Sequence, residues 1–248
     1  DLTVGKAMDD ITFQYNASAA SGSGSGSNSG TYNGNGTAWM VKDINSGSSR
    51  SIHSSGADFT AVGNTLYFQA SDGTNGYELW KSDGTASGTV MVKDINSGSS
   101  SSLSSSGAYF TAVGNTIYFR ANDGTNGTEL WKTDGTSSGT VMVKDIYSGT
   151  SSSGLNYLTA VGNTLYFRAD DGINGGELWK SDGTASGTVM VKNIRSGSSS
   201  GNIKYITAIG NTLYFSASDG TSGDELWKSD GTASGTVMVN DIRVPSGS

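Results

Sequence analysis

The chain contains no cysteine, one proline and one histidine. Without cysteine it has no disulfide, no thiol nucleophile and no thiolate metal ligand. The single histidine, His53, excludes a site built from several histidines, and we expect it to be a solvated loop residue. A Ser-His-Asp triad would have to use this one side chain.

Charge and long apolar runs are also scarce. Charged residues make up 15% of the chain and sum to a net charge of −7 without forming blocks. Nucleic acids and anionic membranes are bound through basic patches, and the sequence contains none. No apolar run approaches the length needed to cross a bilayer. We therefore expect no nucleic-acid partner and no membrane insertion.

Repetition is the main positive feature of the sequence. The segment ELWKSDGTASGTVMVKDI begins at Glu78 and recurs with small changes from Glu129, Glu177 and Glu225. The tryptophans of the four copies are spaced by 51, 48 and 48 residues, which is a period typical of repeat architectures. A residue present in every copy is therefore first a candidate for the scaffold.

One copy predicts a four-stranded antiparallel sheet. Its strands are expected at Tyr157–Val161, Thr164–Ala169, Glu177–Lys180 and Thr188–Ile194. Gly-Asn and Asp-Gly pairs between these runs are strong hairpin signals. Four such strands in about 48 residues are the pattern of a β-propeller blade. In the second strand, Leu165 and Phe167 would face one neighbouring blade and Tyr166 the other.

The count of copies predicts the blade number. A fifth, divergent copy precedes the others: it ends with an expected strand at Trp39–Ile44 and lacks the ELWKSDGT segment. The sequence thus predicts an all-β fold, a single five-bladed β-propeller over residues 1–248. An open array with a degenerate cap is the alternative. The blades are expected at about 1–46 (divergent), 57–96, 108–147, 156–195 and 204–243.

The ELWKSDGT octapeptide resembles the ELW-x-x-DGT repeat family of large secreted or surface-exposed bacterial proteins. The resemblance covers about residues 57 to 243, and the first copy departs from it. It implies a β-propeller-type surface module and carries no catalytic residues with it. A low lysine content with abundant Ser, Thr, Gly and Asn also favours an extracellular or cell-surface location.

The Asp-Gly-x-Asn-Gly-x-Glu loop is the best candidate for metal chemistry. Oxygen ligands three residues apart suit a hard cation such as Ca²⁺, whereas an Asx turn that closes a hairpin explains the same residues without a ligand. Calcium is thus the one candidate cofactor, and none is certain. The residues concerned are Asp72, Asn75, Glu78, Asp123, Asn126, Glu129, Asp171, Asn174, Glu177, Asp219 and Glu225.

Two further sets recur in every full copy and are expected to be structural. The aspartates of the DGT turns should accept hydrogen bonds within their own turns, and the tryptophans should pack between blades with their N–H groups bonded. A sugar-binding role for the tryptophans is the competing interpretation. These residues are Asp83, Asp134, Asp182 and Asp230, and Trp80, Trp131, Trp179 and Trp227.

Some positions near the ends of the strands carry different residues in different copies. If the chain has a binding rim, the residues at these variable positions would shape it. They include the residue after the phenylalanine of the second strand, the residue before the ELW glutamate and the residue that opens the first strand. Drift at exposed sites is the alternative explanation. The proposed rim residues are Tyr77, Tyr109, Arg120, Tyr157, Arg168 and Tyr205.

Together these features predict a non-enzymatic structural or adhesive building block of a bacterial surface protein. Its partners would be other surface proteins, copies of itself or glycans. The alternative is a multivalent lectin with one weak site per blade, whose linked sites raise avidity. A glycoside hydrolase needs a unique pair of carboxylates, whereas the acids here occur in four equivalent copies, which argues against an enzyme.

Overall fold

The computed structural model describes residues 30–31, 37–38, 40–53, 58–104 and 107–241. Contacts divide the chain into two compact units, Asp1–Met40 and Val41–Ser248. In the first unit, β1 (Gly30–Thr31) pairs with β2 (Thr37–Ala38) as an antiparallel ribbon. Every regular element in the described ranges is a strand. No helix in those ranges is long and apolar enough to cross a membrane.

The second unit contains four antiparallel sheets, each a meander of four consecutive strands. Sheet I consists of β3 (Thr60–Val62), β4 (Thr65–Ala70), β5 (Glu78–Ser82) and β6 (Val90–Lys93). Sheet II consists of β7 (Thr111–Val113), β8 (Thr116–Asn122), β9 (Thr128–Thr133) and β10 (Val141–Lys144). Sheet III consists of β11 (Asn156–Val161), β12 (Thr164–Asp170), β13 (Gly176–Ser181) and β14 (Val189–Lys192). Sheet IV consists of β15 (Lys204–Ile209), β16 (Thr212–Ser218), β17 (Asp224–Ser229) and β18 (Val237–Asn240).

Turn chemistry explains where these strands begin and end. The Gly-Asn pair between the first two strands places Gly162 at φ 56°, a left-handed conformation that glycine adopts without a steric penalty. The fourth strand of sheet III stops at Lys192, two residues before its expected end at Ile194. The Ile194 N–H donates to Glu177 Oε2 at 2.9 Å, so this backbone group is satisfied outside the sheet.

Sheets I to III are packed on both faces, as the sequence predicts. Tyr166 and Leu178 of sheet III lie in one core cluster with Phe215 of sheet IV. Leu165 and Phe167, on the opposite face of β12, lie in a cluster with residues of sheet II. The first strands of successive sheets also contact each other, β3 with β7, β7 with β11 and β11 with β15. Four-stranded meanders stacked in this order are the propeller-type arrangement of blades.

Lysines join each sheet to the next. Lys144 Nζ donates to the Thr188 carbonyl at 2.8 Å and lies 5.8 Å from the centre of the Trp179 ring. Lys93 and Lys192 make the same pair of contacts one sheet earlier and one sheet later. A charged hydrogen bond and a cation–π contact at one ammonium group fix the register between neighbouring sheets.

The expectation of five blades is corrected to four four-stranded sheets in the described residues. Residues 40–44, expected as the last strand of the first copy, form no strand. In the other copies this strand pairs with the ELWK strand, and the first copy has no ELWK segment to pair with. Lys42 nevertheless donates to the Thr89 carbonyl at 2.8 Å, the same contact that joins the sheets. The rest of the first copy lies largely outside the described residues.

The outer face of sheet IV differs from the faces between sheets. Leu226 is 48% exposed, whereas the equivalent Leu79, Leu130 and Leu178 are each 0% exposed. Val239 is 46% exposed, whereas its equivalents in the other sheets are buried. The described array therefore ends on an uncovered apolar face.

Candidate functional site

An unusual backbone conformation marks the start of the first strand in every sheet. Asp58, Tyr109, Tyr157 and Tyr205 occupy equivalent positions and have φ values of 44°, 56°, 58° and 57°. A bulky residue at positive φ is an outlier because its Cβ approaches the following carbonyl. The turn sends the next residue inward, as Ile206 shows by lying in a core cluster. The tyrosine rings are left on the surface.

Because the first strands of successive sheets are neighbours, these side chains form one row. Tyr205 is 71% exposed, and Tyr109 and Tyr157 are 36% and 37% exposed. The Tyr157 and Tyr205 rings are 6.0 Å apart between centroids, tilted by 58°. Sheet I has Asp58 at the tyrosine position, and its exposed ring is instead Phe59, at the position equivalent to Ile206. Phe59 is 48% exposed, and its ring centroid lies 5.8 Å from that of Phe68. The rings of Phe59, Tyr109, Tyr157 and Tyr205 form what we call the tyrosine row.

A groove of about 460 Å³ runs along the part of this row that belongs to sheets I to III. Its polar lining residues include Thr60, Thr111 and Asn156, whose side chains donate to the backbone carbonyls of Phe110, Tyr109 and Gly154. The charged group at its end, Asp58, accepts hydrogen bonds from the backbone N–H groups of Ala108 and Tyr109. The groove is lined by Asp58, Phe59, Thr60, Tyr109, Phe110, Thr111, Asn156, Tyr157 and Leu158.

The two arginines assigned to the rim are engaged by the backbone. Arg120 donates to the Gly107 carbonyl at 2.9 Å, and its guanidinium lies 4.3 Å from the centre of the Tyr109 ring. Burial lowers the pKa of Arg120. Arg168 donates to the Gly154 carbonyl at 2.8 Å. Both side chains therefore hold the segments that lead into first strands.

Tyr77 lies apart from the row. Its ring meets His53 edge-on at a centroid distance of 5.2 Å. The expectation that His53 is a solvated loop residue is corrected, because it is partly buried and packs against this ring.

The Asp-Gly-x-Asn-Gly loops close on themselves. Asp72 Oδ1 accepts from the N–H groups of Thr74 and Asn75 at 2.8 and 2.9 Å, and Asp72 Oδ2 accepts from Asn75 Nδ2 at 2.7 Å. Asp123 and Asp171 make the same bonds. In the fourth loop, backbone hydrogen bonds from Ser222 and Thr221 lower the pKa of Asp219 to about 2. This is the hydrogen-bond pattern of an Asx turn.

In the first three loops, the glutamate does not bond within the loop; it binds the backbone of the segment that follows the fourth strand. Glu78 is 0% exposed, and its oxygens accept from the backbone N–H groups of Ile95 at 3.0 Å and Ser102 at 2.9 Å. Glu129 and Glu177 hold the equivalent segments in the same way, and Glu225 is 5% exposed. Burial outweighs these donors and raises the pKa of Glu78, Glu129 and Glu177 to about 7.

The bonds of Asp72 and Asn75 thus stay within the loop, while those of Glu78 reach the next linker. Their side chains do not converge as one ligand set. Within the described ranges, no group of three or more His, Asp or Glu side chains is placed to hold a metal ion.

The aspartates of the DGT turns are bonded locally. Asp83 Oδ1 accepts from the Thr85 N–H at 2.9 Å and the Thr85 hydroxyl at 2.7 Å, and these hydrogen bonds lower its pKa. Asp134, Asp182 and Asp230 repeat the arrangement.

Trp131, Trp179 and Trp227 lie between sheets, whereas Trp80 packs with Ile44 and Ile52 on the outer face of sheet I. Each is 6% exposed, so none offers a surface to a ligand. The expectation that their N–H groups find partners is corrected. Nε1 of Trp131, Trp179 and Trp227 is buried without a hydrogen-bond partner. The lysine ammonium above each of these rings stabilises its π face instead.

The Asp or Asn at the end of the fourth strand makes hydrogen bonds, the role that the variation between these two residues favours. In sheet III, Asn193 Nδ2 donates to Asn174 Oδ1 at 2.9 Å. Sheets I and II have Asp94 and Asp145 at the position of Asn193. Oδ1 of all three residues is buried without a hydrogen-bond partner, and Asn193 differs in having an amide that donates to the loop. In the sequence, the variation between Asp and Asn at this position is the sign that it requires a hydrogen-bonding side chain.

The sequence matches no protein-family model and no curated protein. Among solved structures, the chain is similar to a puromycin hydrolase S511A mutant complexed with PGG, at 12% identity and a TM-score of 0.51 over 75% of this chain and 28% of that one. A computationally designed protein, Ika8, matches at 18% identity and a TM-score of 0.41 over 75% of this chain and 48% of that one. BamB from Moraxella catarrhalis matches at 17% identity and a TM-score of 0.35 over 66% and 40%. This chain thus spans less than half the length of each, and the likeness to the hydrolase concerns the fold alone.

Proposed function

We propose that this chain is a non-enzymatic, extracellular interaction module of a bacterial surface protein, and that its contact surface is the tyrosine row. The main support for this proposal is that Tyr109, Tyr157 and Tyr205 have a left-handed backbone conformation and expose their rings. Backbone strain of this kind concentrates at functional sites. Exposed aromatic rings on a rigid scaffold are a common basis of recognition.

The surrounding chemistry supports a binding role over catalysis. The carboxylates that repeat in each sheet are bonded inside turns or to linkers, as Asp83, Asp72 and Glu78 illustrate. These carboxylates therefore stabilise the fold. The exposed aromatic rings are the feature that neighbouring sheets have in common and that can contact a partner. The extracellular location rests on the composition and on the resemblance of the ELWKSDGT segments.

The test is cosedimentation of the labelled chain with purified bacterial cell envelopes. We expect the wild-type chain to sediment with envelopes and the double variant Tyr157→Gly/Tyr205→Gly to remain in solution. Glycine is the replacement because it accepts the left-handed φ. Tyr147→Gly, which alters a tyrosine outside the row, should behave as wild type. Equal sedimentation of the double variant, or none by the wild type, would contradict the proposal.

A second candidate function, assembly of copies, is favoured by the outer face of sheet IV. Leu226 and Val239 expose an apolar surface that is buried at the equivalent positions of sheets I to III. Two copies that pack these faces together would form an isologous dimer. Light scattering coupled to gel filtration tests this assembly: a dimer that Leu226→Asp converts to monomer supports it, and a wild-type monomer refutes it. Ile173→Asp, at an apolar residue that is 72% exposed elsewhere, is the matched control.

A further inference from the structure

We infer that the tyrosine row is one continuous site for a neutral oligosaccharide chain, with several sugar units lying across the first strands of adjacent sheets. This inference rests on the proposed interaction function and names its ligand. It differs from a lectin with one site per sheet, because the rings of neighbouring sheets belong to one surface.

Continuity is the first argument. The first strands of sheets III and IV are in contact, and Tyr157 and Tyr205 meet at 6.0 Å between centroids. The groove itself is lined jointly by residues of sheets I, II and III, including Phe59, Tyr109 and Tyr157. A ligand that contacts one ring therefore lies beside the next. An extended chain uses this geometry better than a single small molecule does.

The chemistry of the lining is the second argument. An aromatic face packs against the apolar C–H face of a sugar ring, while hydroxyl and amide groups at the edge bond its hydroxyls. The groove supplies both. Thr60, Thr111 and Asn156 line it beside the rings; each donates to a backbone carbonyl, and its side-chain oxygen is left to accept from a sugar hydroxyl. Tyrosine presents a large, rigid contact area at a low entropic cost.

Charge selects a neutral ligand. Asp58 bonds to two backbone N–H groups, and Arg120 bonds to a backbone carbonyl and stacks on Tyr109. Asp58 and Arg120 thus each have a structural partner, and Lys204, next to Tyr205, pairs with Asp224 at 3.4 Å. A net charge of −7 also disfavours an anionic chain.

Because glycine accepts a left-handed φ, each tyrosine of the row can be replaced by glycine to test whether its ring binds the ligand. Replacing Tyr157 or Tyr205 by glycine removes a ring and relieves strain together, so the variant is expected to fold. Tyr147→Gly removes a tyrosine outside the row and is the matched control.

The experiment is isothermal titration calorimetry of the whole chain with chitooligosaccharides, from the monosaccharide to the hexamer, and with a proline-rich peptide. We expect affinity to rise with oligosaccharide length and to fall about tenfold for each glycine variant, as the loss of one aromatic contact implies. Tyr147→Gly should bind as wild type.

Several results would overturn the inference: no binding of any oligomer, affinity independent of length, or binding unchanged in the glycine variants. Binding of the peptide alone would show that the row recognises extended polypeptide. If envelopes capture the chain through the row while oligosaccharides fail, the ligand assignment is wrong and the interaction function stands. If envelopes also fail, the function itself is wrong.

Discussion

Tyr205 allows the strain in the tyrosine row to be measured directly. Its φ is 57° and its ring is 71% exposed, so replacing the side chain removes little packing. Tyr205→Ala keeps the strain, since alanine also has a Cβ, whereas Tyr205→Gly relieves it. The comparison of these two variants isolates the backbone contribution from the loss of the ring.

The magnitude follows from two opposing effects. The left-handed conformation costs a residue with a Cβ roughly 1–2 kcal/mol. Replacement by glycine removes this cost, but glycine loses more conformational freedom than alanine on folding, which offsets roughly 0.5–1 kcal/mol of the stabilisation. We expect Tyr205→Gly to be more stable than Tyr205→Ala by about 0.5–1 kcal/mol. In a chain of this length that corresponds to a melting temperature higher by roughly 1–4 °C.

Differential scanning calorimetry of the two variants provides the measurement, and Tyr147 provides the control. Tyr147 is not among the residues with positive φ, so Tyr147→Gly should melt below Tyr147→Ala. If Tyr205→Gly melts at or below Tyr205→Ala, the backbone at this position is not strained. The argument from strain to function would then fail.

Three further predictions concern the packing between sheets. Asp94→Asn should raise the melting temperature, because an amide can donate a hydrogen bond where the carboxylate oxygen has no partner. Asn193→Asp should lower the melting temperature, because it removes the hydrogen bond from Asn193 to Asn174. Thermal unfolding of both variants tests these two predictions. Because the folded pKa of Glu177 is about 7 and its ordinary value is 4.5, its contribution is complete below about pH 4.5 and is lost as the pH rises through 7. Melting curves between those pH values should therefore show falling stability, with a shallower fall in Glu177→Gln; an unchanged slope would contradict this. In the monomeric chain, Leu178→Ala should cost about 2–5 kcal/mol in urea unfolding and Leu226→Ala less than about 1 kcal/mol; equal costs would show that the outer face of sheet IV is covered in solution, as the proposed dimer requires.

The sequence by itself determined the repeat and the form of each sheet. The period, the hairpin signals and the alternation around Leu165, Tyr166 and Phe167 predicted four-stranded sheets packed on both faces. The structure confirms the four strands in four copies and the packing on both faces in sheets I to III. These features are local because turn chemistry and strand alternation depend on neighbours within a few residues. The described residues contain four four-stranded sheets rather than five, because residues 40–44 have no ELWK strand with which to pair.

Only the tertiary structure decided what the repeated polar and aromatic residues do. In the sequence, Asp72, Asn75 and Glu78 stand close together, yet Glu78 turns to the following linker while Asp72 closes its own loop. Tyrosines about 50 residues apart in the chain become neighbours because the first strands of successive sheets meet, as Tyr157 and Tyr205 show. Their left-handed φ has no signature in residue type, since sequence preference assigns such a conformation to glycine or asparagine. The surrounding fold imposes it, and with it the exposed row on which the proposed function depends.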